Sequence, residues 1–201
     1  TQDANLRSKN SWIVTRYDNL NRADTIWLDS LPSTTFNTLL IAAAATSPYP
    51  TTAPTPANML TATHYDDYTG VPTGLSGSYK TTWNNYLLTA STAAFPYPET
   101  PTQNTAISTT GLATWTQARV LNSNPVVFIT TVNIYDDKGR IIQTQSNNIT
   151  GGAEVNTTQY SWAGQPLITV NWQSKLGTRP DTSITVTKMT YDNLNRLVKT
   201  E

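Results

Sequence analysis

The stretch NIYDDKGRIIQTQ, residues 133–145, decides how this chain is expected to fold. Apolar and polar residues alternate in it, so Ile134 and Tyr135 belong to opposite faces of an extended strand. Asp136 is suited to begin a turn, because its carboxylate can accept hydrogen bonds from nearby backbone N–H groups. Gly139 falls where a short hairpin loop needs a positive φ. The stretch therefore predicts two strands joined by a tight turn.

Similar phrases occur at four other places in the chain. They are YDNLNRADTI from Tyr17, YDDYTGVPTG from Tyr65, YSWAGQPLIT from Tyr160 and YDNLNRLVKT from Tyr191. The position of Gly139 is taken by Asn21, Gly164 and Asn195, and asparagine is enriched among the non-glycine residues that adopt the left-handed region. This substitution pattern follows backbone sterics, which a catalytic role would not require. We interpret each phrase as a hairpin turn in a structural repeat.

A second echo links residues 37–52, NTLLIAAAATSPYPTT, to residues 84–100, NNYLLTASTAAFPYPET. Asn37 and Asn85 are separated by the same offset as Tyr17 and Tyr65, which indicates a duplicated unit. The second unit carries an insertion, GLATWTQARVLNSNPVVFITTV, that is long enough for one more hairpin. We expect one repeat segment of a longer protein, whose last strand needs a flanking repeat. Its expected parts are residues 1–64, 65–134 and 135–201.

Composition excludes several classes of function. The 13 Lys and Arg residues balance the 13 Asp and Glu residues, so the chain has no basic field for nucleic acid. No stretch of eighteen apolar residues predicts a membrane span. The absence of cysteine excludes disulfides and thiolate metal sites. We predict no cofactor.

The residues whose side chains could take part in catalysis or metal binding are better explained as parts of turns and strands. His64 is the sole histidine, and its place is held by unrelated residues in the other phrases. The adjacent pairs Asp66/Asp67 and Asp136/Asp137 could serve acid–base catalysis or bind calcium, but no Asp-x-Asp-x-Asp-Gly loop is present. The sequence TGGAEV from Thr150 has no nucleotide-binding pattern and reads as a hairpin tip. We therefore predict no catalytic residue and no metal site.

These phrases resemble the Rhs or YD-repeat family, whose unit reads Tyr-Asp-x-x-Gly-Arg-aliphatic with a following Thr. The phrase from Tyr135 matches in full, with Asp136, Gly139 and Arg140 in the family's places. The other phrases match less completely. Their counterparts of the family residues are Tyr17, Asp18, Asn21, Arg22, Tyr65, Asp66, Tyr160, Gly164, Tyr191, Asp192, Asn195 and Arg196.

The resemblance implies an all-β fold of consecutive antiparallel hairpins, forming an extended curved sheet or part of a β-shell. It implies a non-catalytic segment of a large secreted or bacterial cell-surface protein, whose shell encloses or presents a C-terminal toxin or effector domain. The expected partners are the flanking repeats, and beyond them the enclosed domain or a secretion partner. We expect no membrane span and no nucleic-acid partner.

The segments between the repeats differ in composition from the repeats themselves. Residues 33–46, STTFNTLLIAAAAT, predict one short helix with N-caps at Ser33 and Thr34. Residues 47–58 are proline-rich and predict an extended loop. Residues 84–104 repeat this design. Extended Pro-Tyr-Pro segments can form a groove for a cofactor or partner, but we expect an ordered loop packed on the sheet.

A carbohydrate-binding or adhesion module is the alternative function. The chain has six Trp and ten Tyr residues, which could stack on sugar rings or supply the mass of the core. A row of aromatic side chains on an exposed face would favour sugar binding. Aromatic side chains buried between hairpins would favour a scaffold.

Overall fold

The computed structural model describes residues 1–30, 38, 54–104 and 109–201. The helix expected within residues 33–46 lies, apart from Thr38, outside this described part, as does the first half of the proline-rich segment 47–58.

The described residues form a nearly all-β structure, which confirms the predicted fold class. Ten strands make one antiparallel sheet in which the spatial order of the strands follows their order along the chain. The strands are β1 (Ser11–Tyr17), β2 (Ala23–Ser30), β3 (Met59–Tyr65), β4 (Ala113–Val120), β5 (Val127–Tyr135), β6 (Ile141–Asn147), β7 (Ala153–Tyr160), β8 (Pro166–Lys175), β9 (Asp181–Tyr191) and β10 (Leu197–Thr200). A short helix, α1 (Ala4–Ser8), precedes them, and a single 3-10 turn covers Asn84–Tyr86.

The chain divides into two compact units. The first contains residues 1–64 and 116–128, and the second contains residues 65–115 and 129–201. In the first unit, β1 and β2 pair from Ser11–Ser30 up to Tyr17–Ala23. The buried indole of Trp27 provides apolar mass on β2.

The phrases at Tyr17, Tyr135, Tyr160 and Tyr191 each join two neighbouring strands, as the sequence predicts. In the first three hairpins, the register between the paired strands shifts next to the repeat tyrosine. Such a bulge places one extra residue on one strand and increases its twist. The insertion at residues 111–132 supplies β4 and most of β5, so the extra hairpin is also present.

The phrase at Tyr65 does not form a tight hairpin, and that expectation is wrong. Tyr65 ends β3, and the chain next enters the sheet at Ala113. The residues that follow, VPTGLSGS, contain a proline and two glycines, which disfavour an immediate return strand. Residues 66–104 and 109–112, which we call the covering segment, leave the sheet instead.

The described part of the covering segment packs on one face of β5–β9. One buried cluster holds Val132, Ile134 and Ile142, with Trp115 and Tyr160 packed beside it. Its partners from the covering segment are Tyr68, Val71, Leu75 and Tyr79. A second cluster brings Trp83, Leu87, Leu88 and Phe95 from the covering segment against Val155, Leu167, Ile168, Val170, Trp172, Val186 and Tyr191. The loop predicted at residues 84–104 is therefore ordered and packed on the sheet.

Candidate functional site

The turn after Tyr135 is closed by the carboxylate of Asp136. One oxygen, Oδ1, accepts the backbone N–H groups of Lys138 and Arg140, each at 2.9 Å. The other oxygen, Oδ2, accepts Nε of Arg140 at 2.6 Å, and the guanidinium completes an ion pair. The backbone N–H of Gly139 donates to the carbonyl of Asp136, and φ at Gly139 is +72°. The predicted positive φ is confirmed, and the aspartate acts as a turn residue.

The same bonds recur after Tyr17. Oδ1 of Asp18 accepts the N–H groups of Leu20 and Arg22 at 2.9 Å, while Nε of Arg22 donates to Oδ2 at 2.7 Å. Asn21 takes the place of Gly139, with φ at +62°. The backbone N–H of Arg22 lowers the pKa of Asp18 from its usual value, an effect that burial partly opposes.

The turn after Tyr191 is the third copy. Oδ1 of Asp192 accepts the N–H groups of Leu194 and Arg196 at 2.9 Å, and Nε of Arg196 donates to Oδ2 at 2.7 Å. Asn195 has φ at +62°. The backbone N–H of Arg196 lowers the pKa of Asp192.

Neutral side chains build the same turn twice more. In the phrase from Tyr160, the N–H of Gln165 donates to Oγ of Ser161 at 3.1 Å, and Gly164 has φ at +88°. At the β6–β7 turn, Oδ1 of Asn148 accepts the N–H groups of Thr150 and Gly152 at 3.1 and 3.0 Å. Sequence reasoning missed the role of Asn148. The available signal was a side-chain acceptor followed by glycine three residues later.

The Asp136 turn is tied to the covering segment by a charged cluster. The carboxylate of Glu99 binds Nη2 of Arg140 at 2.6 Å and also pairs with the ammonium of Lys138. Burial alone raises the pKa of Glu99, but hydrogen bonds and charge from Lys138 and Arg140 outweigh it and lower the pKa. The guanidinium of Arg140 also lies 4.7 Å from the ring centre of Tyr160, in the range of a cation–π contact.

Three repeat tyrosines each fasten the strand that they end to the start of the preceding strand. The hydroxyl of Tyr160 donates at 3.1 Å to the carbonyl of Ile141, the first residue of β6. The hydroxyl of Tyr191 donates at 3.0 Å to the carbonyl of Pro166, the first residue of β8. The remaining bond of this kind joins Tyr135 to the carbonyl of Ala113, the first residue of β4, at 2.8 Å. In these three phrases the tyrosine is therefore a latch between neighbouring strands.

Buried glutamines clamp the covering segment to the sheet, and sequence reasoning missed them. Oε1 of Gln143 accepts the N–H of Lys80 at 2.9 Å, while its Nε2 donates to the carbonyl of Lys80 at 3.0 Å. Gln159 makes the same pair of bonds with Leu88, each at 2.8 Å. A primary amide offers both a donor and an acceptor, so it satisfies both backbone groups of one loop residue. The available signal was the pair Gln143 and Gln145 at alternate positions of one strand.

The remaining candidates for chemistry take structural places. Asp66 has φ at +73°, and its carboxylate accepts the N–H of Gly111 at 2.6 Å. Oδ1 of Asp67 accepts the N–H of Thr69 at 2.7 Å, so the turn-forming role passes to the second aspartate of the pair. His64 lies half-buried on β3.

A groove of about 550 Å³ lies beside the Asp136 turn, and its wall includes residues 99–104 and the charged cluster. The side-chain oxygens of Asp136 and Glu99 are held by cations and N–H groups, so these two carboxylates stabilise the turn. Asp137, the other carboxylate in the wall of the groove, is exposed. Within the described ranges, no group of three or more His, Asp and Glu residues is placed to hold a metal ion. Among the helices described, none is long and apolar enough to cross a membrane.

Most described aromatic side chains of the second unit pack in its interior. Trp83 stacks on Trp172 with ring centres 5.1 Å apart, and burial raises the pKa of Tyr68 and of Tyr79 to about 12. Comparison of the chain with protein-family models, with curated proteins and with solved structures found no match.

Proposed function

We propose that this chain is a non-catalytic structural segment of a large YD-repeat protein, in which consecutive hairpins build part of a shell or scaffold. The observation that carries the proposal is the repeated tyrosine latch. The hydroxyl groups of Tyr135, Tyr160 and Tyr191 each bind the first carbonyl of an earlier strand in the same way. A contact that recurs at three consecutive repeat phrases is what a repeat array needs, because each unit is stabilised mainly by its neighbours.

The Asp–Arg turn supports the same function. Its carboxylate is occupied by two backbone N–H groups and one guanidinium in each of the three copies. A general acid or base needs an oxygen that can reach a substrate proton. The recurrence of one closed bonding pattern at three turns fits a building element better than an active site.

The distribution of aromatic side chains also favours the scaffold over an extended sugar-binding row. Trp83, Trp172, Tyr68 and Tyr79 pack between the sheet and the covering segment. They supply core mass in a chain that has few large aliphatic residues. The family resemblance adds the rest of the proposal: a secreted or cell-surface location, flanking repeats as partners, and an enclosed or presented effector domain.

Duplication of one repeat tests the scaffold function. A second copy of residues 161–191, inserted after Tyr191, places a full-length strand beside β9, whose present neighbour β10 has only four residues. Such a strand would cover Ile184, which is 43% exposed. We expect a soluble monomer in which the amide protons of β9 exchange more slowly than in the parent chain.

An insert of the same composition in scrambled order is the matched control, and it should leave exchange in β9 unchanged. If the true duplicate unfolds the chain, or protects β9 no better than the scrambled insert does, the proposal is wrong.

A further inference from the structure

Two aromatic side chains differ from the packed majority. Tyr97, in the covering segment, and Trp162, at the tip of the β7–β8 turn, are each 74% exposed. Both line one shallow groove of about 340 Å³. The remaining residues of the groove are small or polar: Thr89, Ala90, Ser91, Pro98 and Glu99.

The backbone holds this pair in place. The N–H of Trp162 donates to the carbonyl of Tyr97 at 2.9 Å, and the N–H of Tyr97 donates to Oγ of Ser91 at 3.0 Å. The N–H of Glu99 donates to the carbonyl of Tyr160 at 2.8 Å, which fixes the other side of the groove. The two side chains are therefore exposed from a bonded framework. Preorganisation of this kind lowers the entropy that a ligand must overcome.

Tyr97 also has φ at +48°. A bulky residue in the left-handed region is a strained outlier, and such residues concentrate at ligand sites. The local fold accepts this conformation while leaving the ring in solvent, so the packing of the core does not explain it.

The charges around the groove indicate a neutral ligand. The carboxylate of Glu99 is balanced by Lys138 and Arg140, so the groove has no strong field of either sign. Single-stranded nucleic acid also stacks on aromatic rings, but it requires a positively charged groove for its phosphates. A pyranose ring fits better, because it offers an apolar C–H face to the rings and hydroxyl groups to polar neighbours such as Ser91 and Thr89.

We propose that Tyr97 and Trp162 form a binding site for a neutral pyranose unit of a glycan. The groove adjoins the Asp136 turn through Glu99, and it would give a structural repeat segment a means of adhesion. The rings stack on the sugar, and the hydroxyl groups of Thr89 and Ser91 are placed to bond its edge. A result that excludes sugar binding at this site would not contradict the proposed scaffold function.

Calorimetric titration of the full chain with neutral hexasaccharides tests the site. The probes are β-1,4-linked glucose, α-1,4-linked glucose and β-1,4-linked mannose hexamers, with a proline-rich peptide as the competing chemistry. We expect saturable binding of at least one hexamer, a blue shift of tryptophan fluorescence, and at least a tenfold weaker affinity in Trp162→Ala and in Tyr97→Ala. Tyr17→Ala removes another exposed aromatic side chain and should leave the affinity unchanged.

Three results would overturn the proposal. The first is the absence of saturable binding with all three hexamers at about 10 mM, a weak limit for a specific ligand. The second is binding that survives both substitutions, and the third is binding of the peptide alone. Circular dichroism of each variant keeps misfolding from being mistaken for loss of the site.

Discussion

The turns at Asp136 and Asp192 contain the same bonds but lie in different surroundings. In both, one carboxylate oxygen accepts two backbone N–H groups at 2.9 Å and the other accepts the Nε of an arginine. The side chain of Arg140 is 20% exposed, whereas that of Arg196 is 72% exposed. The carboxylates are 6% and 24% exposed, respectively.

This difference separates what the phrase specifies from what its neighbours add. The phrase alone is sufficient for the turn, because the exposed copy at Asp192 is as well formed as the covered one. Glu99 and the ring of Tyr160 then enclose the Asp136 turn and its arginine. The same motif should therefore contribute more to stability where the next hairpin and the covering segment exclude water from it.

Asp136→Ala should give the largest effect. It leaves the partly covered guanidinium of Arg140 with one partner fewer and removes the acceptor of two backbone N–H groups, which should lower the free energy of unfolding by about 3 kcal/mol. Asp192→Ala removes the same bonds in a solvated turn and should lower it by clearly less. Urea unfolding of the two variants measures the difference. Equal losses would contradict the role assigned to the neighbours.

Gly139→Val should come next, at about 1–2 kcal/mol, because a β-branched residue is strained at φ of +72°. A Cβ at this position would lie 3.9 Å from Leu112, an ordinary contact, so the expected loss comes from the backbone alone. Gly139→Asn is the matched control, since asparagine holds this place in the turns of Asn21 and Asn195. The melting temperature of Gly139→Asn should be well above that of Gly139→Val. The opposite order would contradict the explanation by backbone strain.

Tyr160→Phe should lower stability by about 1 kcal/mol, the typical net value of one hydrogen bond. It removes the latch to the carbonyl of Ile141 while keeping the ring that lies against Arg140. Hydrogen exchange should show faster opening at the start of β6. A variant with unchanged exchange there would show that the hydroxyl does not fasten the hairpins.

Lowering the pH should decrease the stability of the fold by less than the substitutions above. The pKa values of Glu99, Asp18 and Asp192 are lowered in the folded chain, so the unfolded chain binds more protons in the acidic range. The stabilisation is present above the ordinary pKa values and is lost as the pH falls through the lowered ones. The urea concentration at the unfolding midpoint should therefore decrease as the pH is lowered from about 5 to about 3. The decrease should be less steep in Glu99→Gln, which cannot bind a proton at this position. An equal slope in that variant would show that Glu99 contributes nothing.

The sequence was informative where structure is local. A strand, an acceptor side chain and a residue able to adopt positive φ follow one another directly, so the turns at Asp18, Asp136 and Asp192 could be predicted. The hairpin expected at Tyr65 failed, because Asp67 takes over the turn and the chain leaves the sheet.

Long-range pairing could not be read from the sequence in the same way. Gln143 and Gln159 meet Lys80 and Leu88, which are 63 and 71 residues distant, and periodicity carries no information about such partners. A glutamine on a strand face reads as solvent-exposed until a loop is known to cover it. The sequence raised a groove near the Pro-Tyr-Pro segment and sugar binding by aromatic residues as alternatives, but it could not pair Tyr97 with Trp162, which are distant along the chain.

Asp136→Asn, compared with Asp136→Ala in urea unfolding, tests most directly whether the repeated aspartate is a turn residue. Asparagine keeps an oxygen for the two backbone N–H groups, as Asn148 does in the β6–β7 turn, but loses the charge that pairs with Arg140. If the aspartate is structural, Asn should recover about 1–2 kcal/mol of the roughly 3 kcal/mol that Ala loses. Equal destabilisation by Asn and Ala, or a negligible loss in both, would contradict the structural role of the Tyr-Asp phrase.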